Sequence, residues 1–184
     1  RCHPRATNVG GLVVPLPPLA LSVRQPWAWA IIHGGKVIEN RSHGSIRAGR
    51  MTTGPVAIHA ASGMKQEEYL WAASKLQQIG VQCPLPADLP RRAIIGAVDV
   101  VDIITESDSP WFGGQCGLVL ENPRPVEPIP VVGELGYFEW AESGTLDPPK
   151  PWMAKYDVGP DSGLFGELEL SFKQPPEKPY GRKK

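Results

Sequence analysis

Apolar and polar positions recur in two rhythms along the chain, and each change of rhythm marks a new element. Leu19 to Val23 is a short apolar run that predicts a strand. Pro26 then stands where a first helical turn tolerates proline, so Pro26 to His33 predicts a short helix stopped by Gly34-Gly35. Trp27, Ala30 and Ile31 lie three and four positions apart, which gives that helix one apolar face for a sheet. Lys36 to Arg41 and Pro55 to Ala61 read as half-buried strands, the second with Val56, Ile58 and Ala60 alternating against Ala57, His59 and Ala61.

Lys65 to Ile79 carries the longest helical signal, with Tyr69, Leu70, Ala73, Leu76 and Ile79 near a 3.6-residue period and Gly80 closing it. Ala93 to Ile104 is a β-branched run too apolar on both faces for an exposed strand, and it is expected at the centre of the sheet. Cys116 to Leu120 predicts a further strand, and Ile129 to Val132, set among prolines, a short edge strand. Short strands outnumber helices, so the expected class is α+β, built round a mostly antiparallel sheet or open barrel.

The chain's 184 residues suit a single core. Residues 1–18 read as a poorly ordered leader, 19–142 as the domain, and 143–184 as a Pro/Gly-rich extension whose basic end, about the last ten residues, is expected to be disordered. The 19 basic and 19 acidic side chains cancel, so any attraction to phosphate must come from a local arrangement of Lys and Arg. Cys2, Cys83 and Cys116 are odd in number and form no Cys-x-x-Cys pair, which predicts a reducing, intracellular (cytoplasmic) setting. Cys2-His3 has no further ligands nearby, so no metal and no cofactor is expected. Gly10 to Ser22 is the only candidate secretory segment, and Pro15, Pro17 and Pro18 break it; nothing there is long enough to span a membrane.

The chemistry concentrates in Gly35-Lys36-Val37-Ile38-Glu39-Asn40-Arg41. Strand alternation puts Glu39 and Arg41 on one face with Val37, and Ile38 on the other. Lys36 has the wrong parity and can join them only from a bend after Gly34-Gly35, where glycine dihedrals re-aim the chain. Glu39 can then orient the Arg41 fork toward a phosphate or a base edge, with Lys36 making the trio net positive. Spacing alone does not establish a site, because a surface ion pair of little consequence is the commoner outcome of such a pattern.

Gly34, Lys36, Glu39 and Arg41 match the G-x-K-x-x-E-x-R mark of the ASCH domain, and Gln25-Pro26-Trp27 precedes it at the proper distance. Ile95 to Asp102 and Glu106 to Trp111 resemble the later strand and loop of the same domain in activating signal cointegrator proteins. The resemblance covers roughly residues 19–140. It implies a PUA-like open β-barrel with flanking helices and a cleft, lined by the motif, that binds RNA or another single-stranded nucleic acid.

The resemblance also implies alternatives. Some small ASCH proteins are amidohydrolases acting on acylated cytidines, and others are linked to RNA cleavage; for such a hydrolase Lys36 and Glu39 are the catalytic candidates. The amidohydrolase nucleophile is a threonine three residues after the lysine, where this chain has Glu39, and neither Ser42 nor Ser45 stands at that position. The expected ligand-binding set is Lys36, Glu39, Asn40, Arg41, His59 as the best-placed local histidine, and Trp111 as a surface for base stacking. His33 and His43 flank the motif and are further phosphate candidates. The plain alternatives are a hydrogen-bonded strand histidine for His59 and a hydrophobic filling of the barrel end for Trp111. A nucleoside-like small molecule is the other ligand considered, and a protein-interaction module using the proline-rich ends is the third function.

Overall fold

The computed structural model describes residues 6–9 and 12–156. In chain order the elements are β1 (Ala6–Val9), β2 (Leu12–Pro15), β3 (Leu19–Val23), α1 (Trp27–His33), β4 (Ile38–Arg41), α2 (His43–Ala48), β5 (Gly54–Ala60), α3 (Gln66–Gln78), β6 (Ala93–Ile104), β7 (Cys116–Pro130), β8 (Tyr137–Glu139) and α4 (Pro151–Ala154). β1 and β2 form an antiparallel pair within the expected leader, and Leu16 just after them is buried. Cys2-His3 and the basic carboxyl end lie outside the described residues.

Six strands make one mixed sheet in the order β4-β7-β6-β5-β3-β8. All neighbours are antiparallel except β3 with β5, which α1 and the following segment connect. The end strands β4 and β8 are not paired with each other, so this is an open α+β sheet, mostly antiparallel as the sequence predicts. β6 lies inside it, and its first eight residues are buried or nearly so, as its apolar run requires.

Three readings change. β5 is not half-buried: Val56 to Ala60 is buried on both faces. The segments 116–120 and 129–132 are not two strands, because β7 runs without a break from Cys116 to Pro130. Prolines fit there because β4 pairs only with Cys116 to Val119. Beyond that the outer side of β7 has no strand to donate to among the described residues, and register shifts against β6 absorb the irregularity. The short helix α2 was not foreseen; Ser42 caps it by accepting from Ser45 N.

One face of the sheet packs on α1. Leu21, Val23, Val56, Ile58, Ile95, Val98, Val100 and Leu118 enclose Ala28, Ile31 and Ile32 of the helix. Each such large aliphatic side chain contributes about 1.5–3 kcal/mol on burial. The other face collects Leu16, Ala20, Ala57, Ile94, Ala97, Val131 and Phe138. α3 buries Tyr69, Ala72, Ala73 and Leu76 and ends at Gly80, whose φ of 80° supplies the left-handed stop. Tyr69 and Ala73 then receive α4, whose Met153 is fully buried beside Trp152 and Tyr156. Residues 151–156 of the expected extension therefore pack on the domain.

Among the described residues no helix is long and apolar enough to cross a membrane.

Candidate functional site

The site begins with how α1 is fixed. Gln25 is buried, its Nε2 donating to Pro90 O at 2.8 Å and its Oε1 accepting from Trp29 N at 3.0 Å. That second bond satisfies one of the free donors in the first turn of the helix. The Gln25-Pro26 peptide is cis. At the other end of α1, Gly34 lies so close to the helix that an added Cβ would stand 2.9 Å from Ala30 Cα. Gly35 follows with φ 69°. The two glycines turn the chain sharply, and Lys36 N closes the turn on Ala30 O at 3.0 Å.

This bend carries Lys36 inward. Its Nζ donates to Glu39 Oε2 at 2.7 Å and to the carbonyl of Ile38, while Glu39 Oε1 meets Arg41 Nη2 at 3.2 Å. Arg41 Nη2 also donates to Ser22 O at 2.8 Å, tying β4 to β3 across the gap between the ends of the sheet. Lys36 and Glu39 are 5% and 6% exposed and Arg41 is half-buried, so the Lys36-Glu39 pair is not a solvated surface pair. Two cations share one carboxylate, and Arg41 Nε is a buried donor without a partner among the described residues.

Burial alone would raise the Glu39 carboxyl, but Lys36 and Arg41 together outweigh it and hold Glu39 ionised below its ordinary range. Burial pushes the Lys36 ammonium below its ordinary value, with Arg41 and Lys75 adding to that and Glu39 opposing it. Tyr137 of β8 stands close enough for Arg41 to act on its hydroxyl, which burial pushes up to about 12 and which donates to Thr52 O. Ser22 and Tyr137 are the neighbours that sequence reasoning did not find; they come from strands remote in the chain and carry no local signal.

The remaining candidates are dispersed. His59 is 2% exposed and lies against the second core: Nε2 bonds Val131 O at 3.0 Å, Nδ1 meets Ser22 Oγ at 2.9 Å, and Phe138 packs edge-on against its ring. Since Val131 O can only accept, Nε2 carries the proton and Nδ1 accepts from Ser22; burial lowers the histidine's affinity for a second proton. Its link to the trio runs through Ser22, whose carbonyl accepts from Arg41. Trp111 is buried among Ala30, Ile38 and Leu76, which leaves its ring unavailable for stacking and corrects that expectation. Asn40 holds the Trp111 loop in place, donating to Trp111 O at 2.8 Å and accepting from Gly113 N at 3.0 Å.

His33 lies beside the Trp29 ring, and His43 Nδ1 meets Cys116 Sγ at 3.0 Å. Asp99 pairs with Arg124 at 2.9 Å, and Asp102 accepts from Ile103 N. Among the described residues no three His, Cys, Asp or Glu side chains gather as a metal site would require. A cavity of about 720 Å³ opens between the end of α3 and residues 80–85, lined by Tyr69, Ala73, Val81, Cys83 and Leu85, and the motif residues are not in its wall.

Human activating signal cointegrator 1 is 29% identical to this chain over an alignment covering 56% of the chain and 19% of that protein, so the chain spans only a small part of that relative's length. The crystal structure of a mutant of the Zymomonas mobilis protein ZmASCH is also similar, at 15% identity and a TM-score of 0.33, covering 61% of this chain and 72% of that one. The ASCH domain family itself matches residues 21–142, from within β3 to just beyond β8, and the chain belongs to that family.

Proposed function

We propose that this chain is a nucleic-acid-binding domain that takes RNA or another single strand, with Arg41 and Lys36 contacting phosphate or base and Glu39 holding both cations in register. The observation that carries this reading is the Lys36-Glu39-Arg41 trio, in which two cations share one buried carboxylate and the buried Arg41 Nε has no partner among the described residues, while the rest of the Arg41 fork is only half-buried. Buried charge without full compensation is costly. An anion reaching Arg41 would supply both the missing charge and the missing acceptor. The free thiols of Cys83 and Cys116, with Cys83 pushed up to about 12 by burial and thus inert, suit an intracellular setting.

The test is binding of a random RNA pool to the intact chain over a range of salt. Arg41→Ala and Lys36→Ala are expected to weaken binding, and Arg41→Ala to flatten its salt dependence by about 0.7 in the log-log slope for each phosphate that is no longer neutralised. Unchanged affinity and slope in both variants would sink the assignment.

A second reading, hydrolysis of RNA or of a modified nucleoside such as an acylated cytidine, rests on the lowered proton affinity of Lys36, which suits proton transfer. Against it, Glu39 stands where the amidohydrolases are expected to carry their nucleophile, and its carboxylate already serves two cations. Incubation with acylated cytidines and with labelled RNA separates the readings. Turnover that disappears in Lys36→Ala would favour the enzyme.

A further inference from the structure

Burial of Trp111 removes the stacking surface that the sequence offers, yet two other indoles meet beside Lys36. Trp27 of α1 and Trp71 of α3 pack edge to face with ring centroids 5.4 Å apart. Lys36 Nζ lies 5.9 Å from the Trp27 centroid, and Lys75 Nζ lies 5.8 Å from the Trp71 centroid. The order along this strip is therefore ammonium, indole, indole, ammonium, and it starts at the buried trio.

Apart from its edge contact with Trp27, Trp71 stands beside the face by which α3 packs. Tyr69, Ala72, Ala73 and Leu76 are the buried residues of the helix, whereas Trp71 and Lys75 are half-buried. Their four-residue spacing puts them on one side of the helix, and Glu68, three before Trp71, continues the same side. Glu68 is taken up by an ion pair with Arg24. Lys75 has no carboxylate in ion-pair reach among the described residues. In a protein of zero net charge, this strip and the trio concentrate cations round an aromatic pair.

That combination is the chemistry of a single-stranded nucleotide site: an aromatic face that accepts any base, with a cation for the adjoining phosphate. We propose that Trp71 and Lys75 form a nucleotide subsite continuous with the Lys36-Glu39-Arg41 trio, the base stacking on Trp71 and Lys75 pairing with that nucleotide's phosphate. Lys75 is a compact charge on a flexible stem, so a base can take its place over the indole while the ammonium swings to the phosphate. The inference rests on the nucleic-acid reading of the trio and extends it along α3. The competing explanation is that Trp71 only packs against Trp27 and Lys75 belongs to a solvated helix face.

The experiment titrates the intact chain, by fluorescence anisotropy, with a labelled single-stranded RNA of about ten nucleotides, within the span of known single-strand sites. Free UMP and duplex RNA serve as competitors. Trp71→Ala is expected to weaken the single strand on the order of 10-fold. Trp71→Phe, which keeps a ring, should recover most of that, and Lys75→Gln should lower the log-log salt slope by about 0.7. Circular dichroism checks that each variant is folded. Competition by UMP that also depends on Trp71 supports the subsite and assigns it to a free nucleotide.

Trp71→Ala and Lys75→Gln that are folded and bind as tightly as the parent, with the parent's salt slope, overturn the subsite. If Lys36→Ala and Arg41→Ala still weaken the strand in that case, the reading of the trio stands without it. A parent chain that binds neither strand nor nucleotide overturns both.

Discussion

Lys36 Nζ and Glu39 Oε2 are 2.7 Å apart, although the three-residue separation of their parent positions would send them to opposite faces of a regular strand. The pairing exists because β4 begins only at Ile38, so Lys36 belongs to the turn that Gly34 and Gly35 impose and not to the strand. The glycine and the lysine of the motif are thus one device: close approach at the helix end aims the ammonium at the carboxylate.

Glu39 is the shared acceptor of that device, so removing its charge should cost more than removing either cation. Glu39→Gln leaves Lys36 and Arg41 facing each other out of water, and a loss of about 3–5 kcal/mol is expected, the scale for breaking a buried pair on one side. Lys36→Met leaves Glu39 still bonded to Arg41 and should cost less. Urea unfolding of the two variants at neutral pH gives the order, and a Glu39→Gln protein as stable as the parent would mean that the trio is not electrostatically coupled.

The two glycines should fail for different reasons. An alanine at Gly35 meets no neighbouring atom but must hold φ 69°, a left-handed conformation that costs a non-glycine residue about 1–2 kcal/mol. An alanine at Gly34 would press on Ala30 Cα at 2.9 Å and on the Trp29 ring at 3.1 Å, and relief must come from moving the bend. Overpacking of that kind costs about 1–3 kcal/mol. Both variants are measured by thermal unfolding together with RNA binding: Gly34→Ala is expected to weaken binding as well as stability, because it displaces Lys36, while Gly35→Ala lowers stability first.

His59 should shape the acid limb of stability. Its folded-state affinity for a second proton is lowered by burial, so the unfolded chain takes up that proton first as pH falls below about 6.5. The stability it contributes is therefore present above that pH and is lost as pH falls from there toward the lower folded value. His59→Asn is expected to be less stable at pH 7, since no ring then packs against Phe138, yet to lose less further stability between pH 6.5 and 5. Urea midpoints across that range test it; parallel pH curves for parent and variant would show that His59 is not the group being titrated.

These residues also show where the sequence was informative. α1, α3 and the buried run of β6 announce themselves through local periodicity, because each element buries one face or both and its residue pattern must repeat accordingly. Lys36, Glu39 and Arg41 were legible together because bend, parity and charge all lie within eight residues of chain. What could not be read was anything set by strand order. His59 has the same alternation whichever core its face meets, and only the pairing of β5 with β3 brings it to Ser22. Trp111 follows a loop whose fate is decided by Asn40 and by the end of α3. β7 looked like two strands because proline usually interrupts a ladder, and the short partner β4 is what removes that objection.

Asn40 gives the sharpest contrast between a ligand-binding group and a tether. Its amide spans Trp111 O and Gly113 N, so both of its functional ends are committed to the loop after β6. Each of these bonds stabilises the fold by about 0.5–1.5 kcal/mol net. Asn40→Ala is therefore expected to cost about 1–3 kcal/mol, the sum of two such bonds, and to speed hydrogen exchange and proteolytic cleavage in the Trp111 to Gly114 segment. RNA affinity, measured on the folded variant at low temperature, should stay within about twofold of the parent, a shift under RT in free energy. A large loss of affinity with an unchanged exchange pattern in the loop would reverse the assignment and return Asn40 to the ligand.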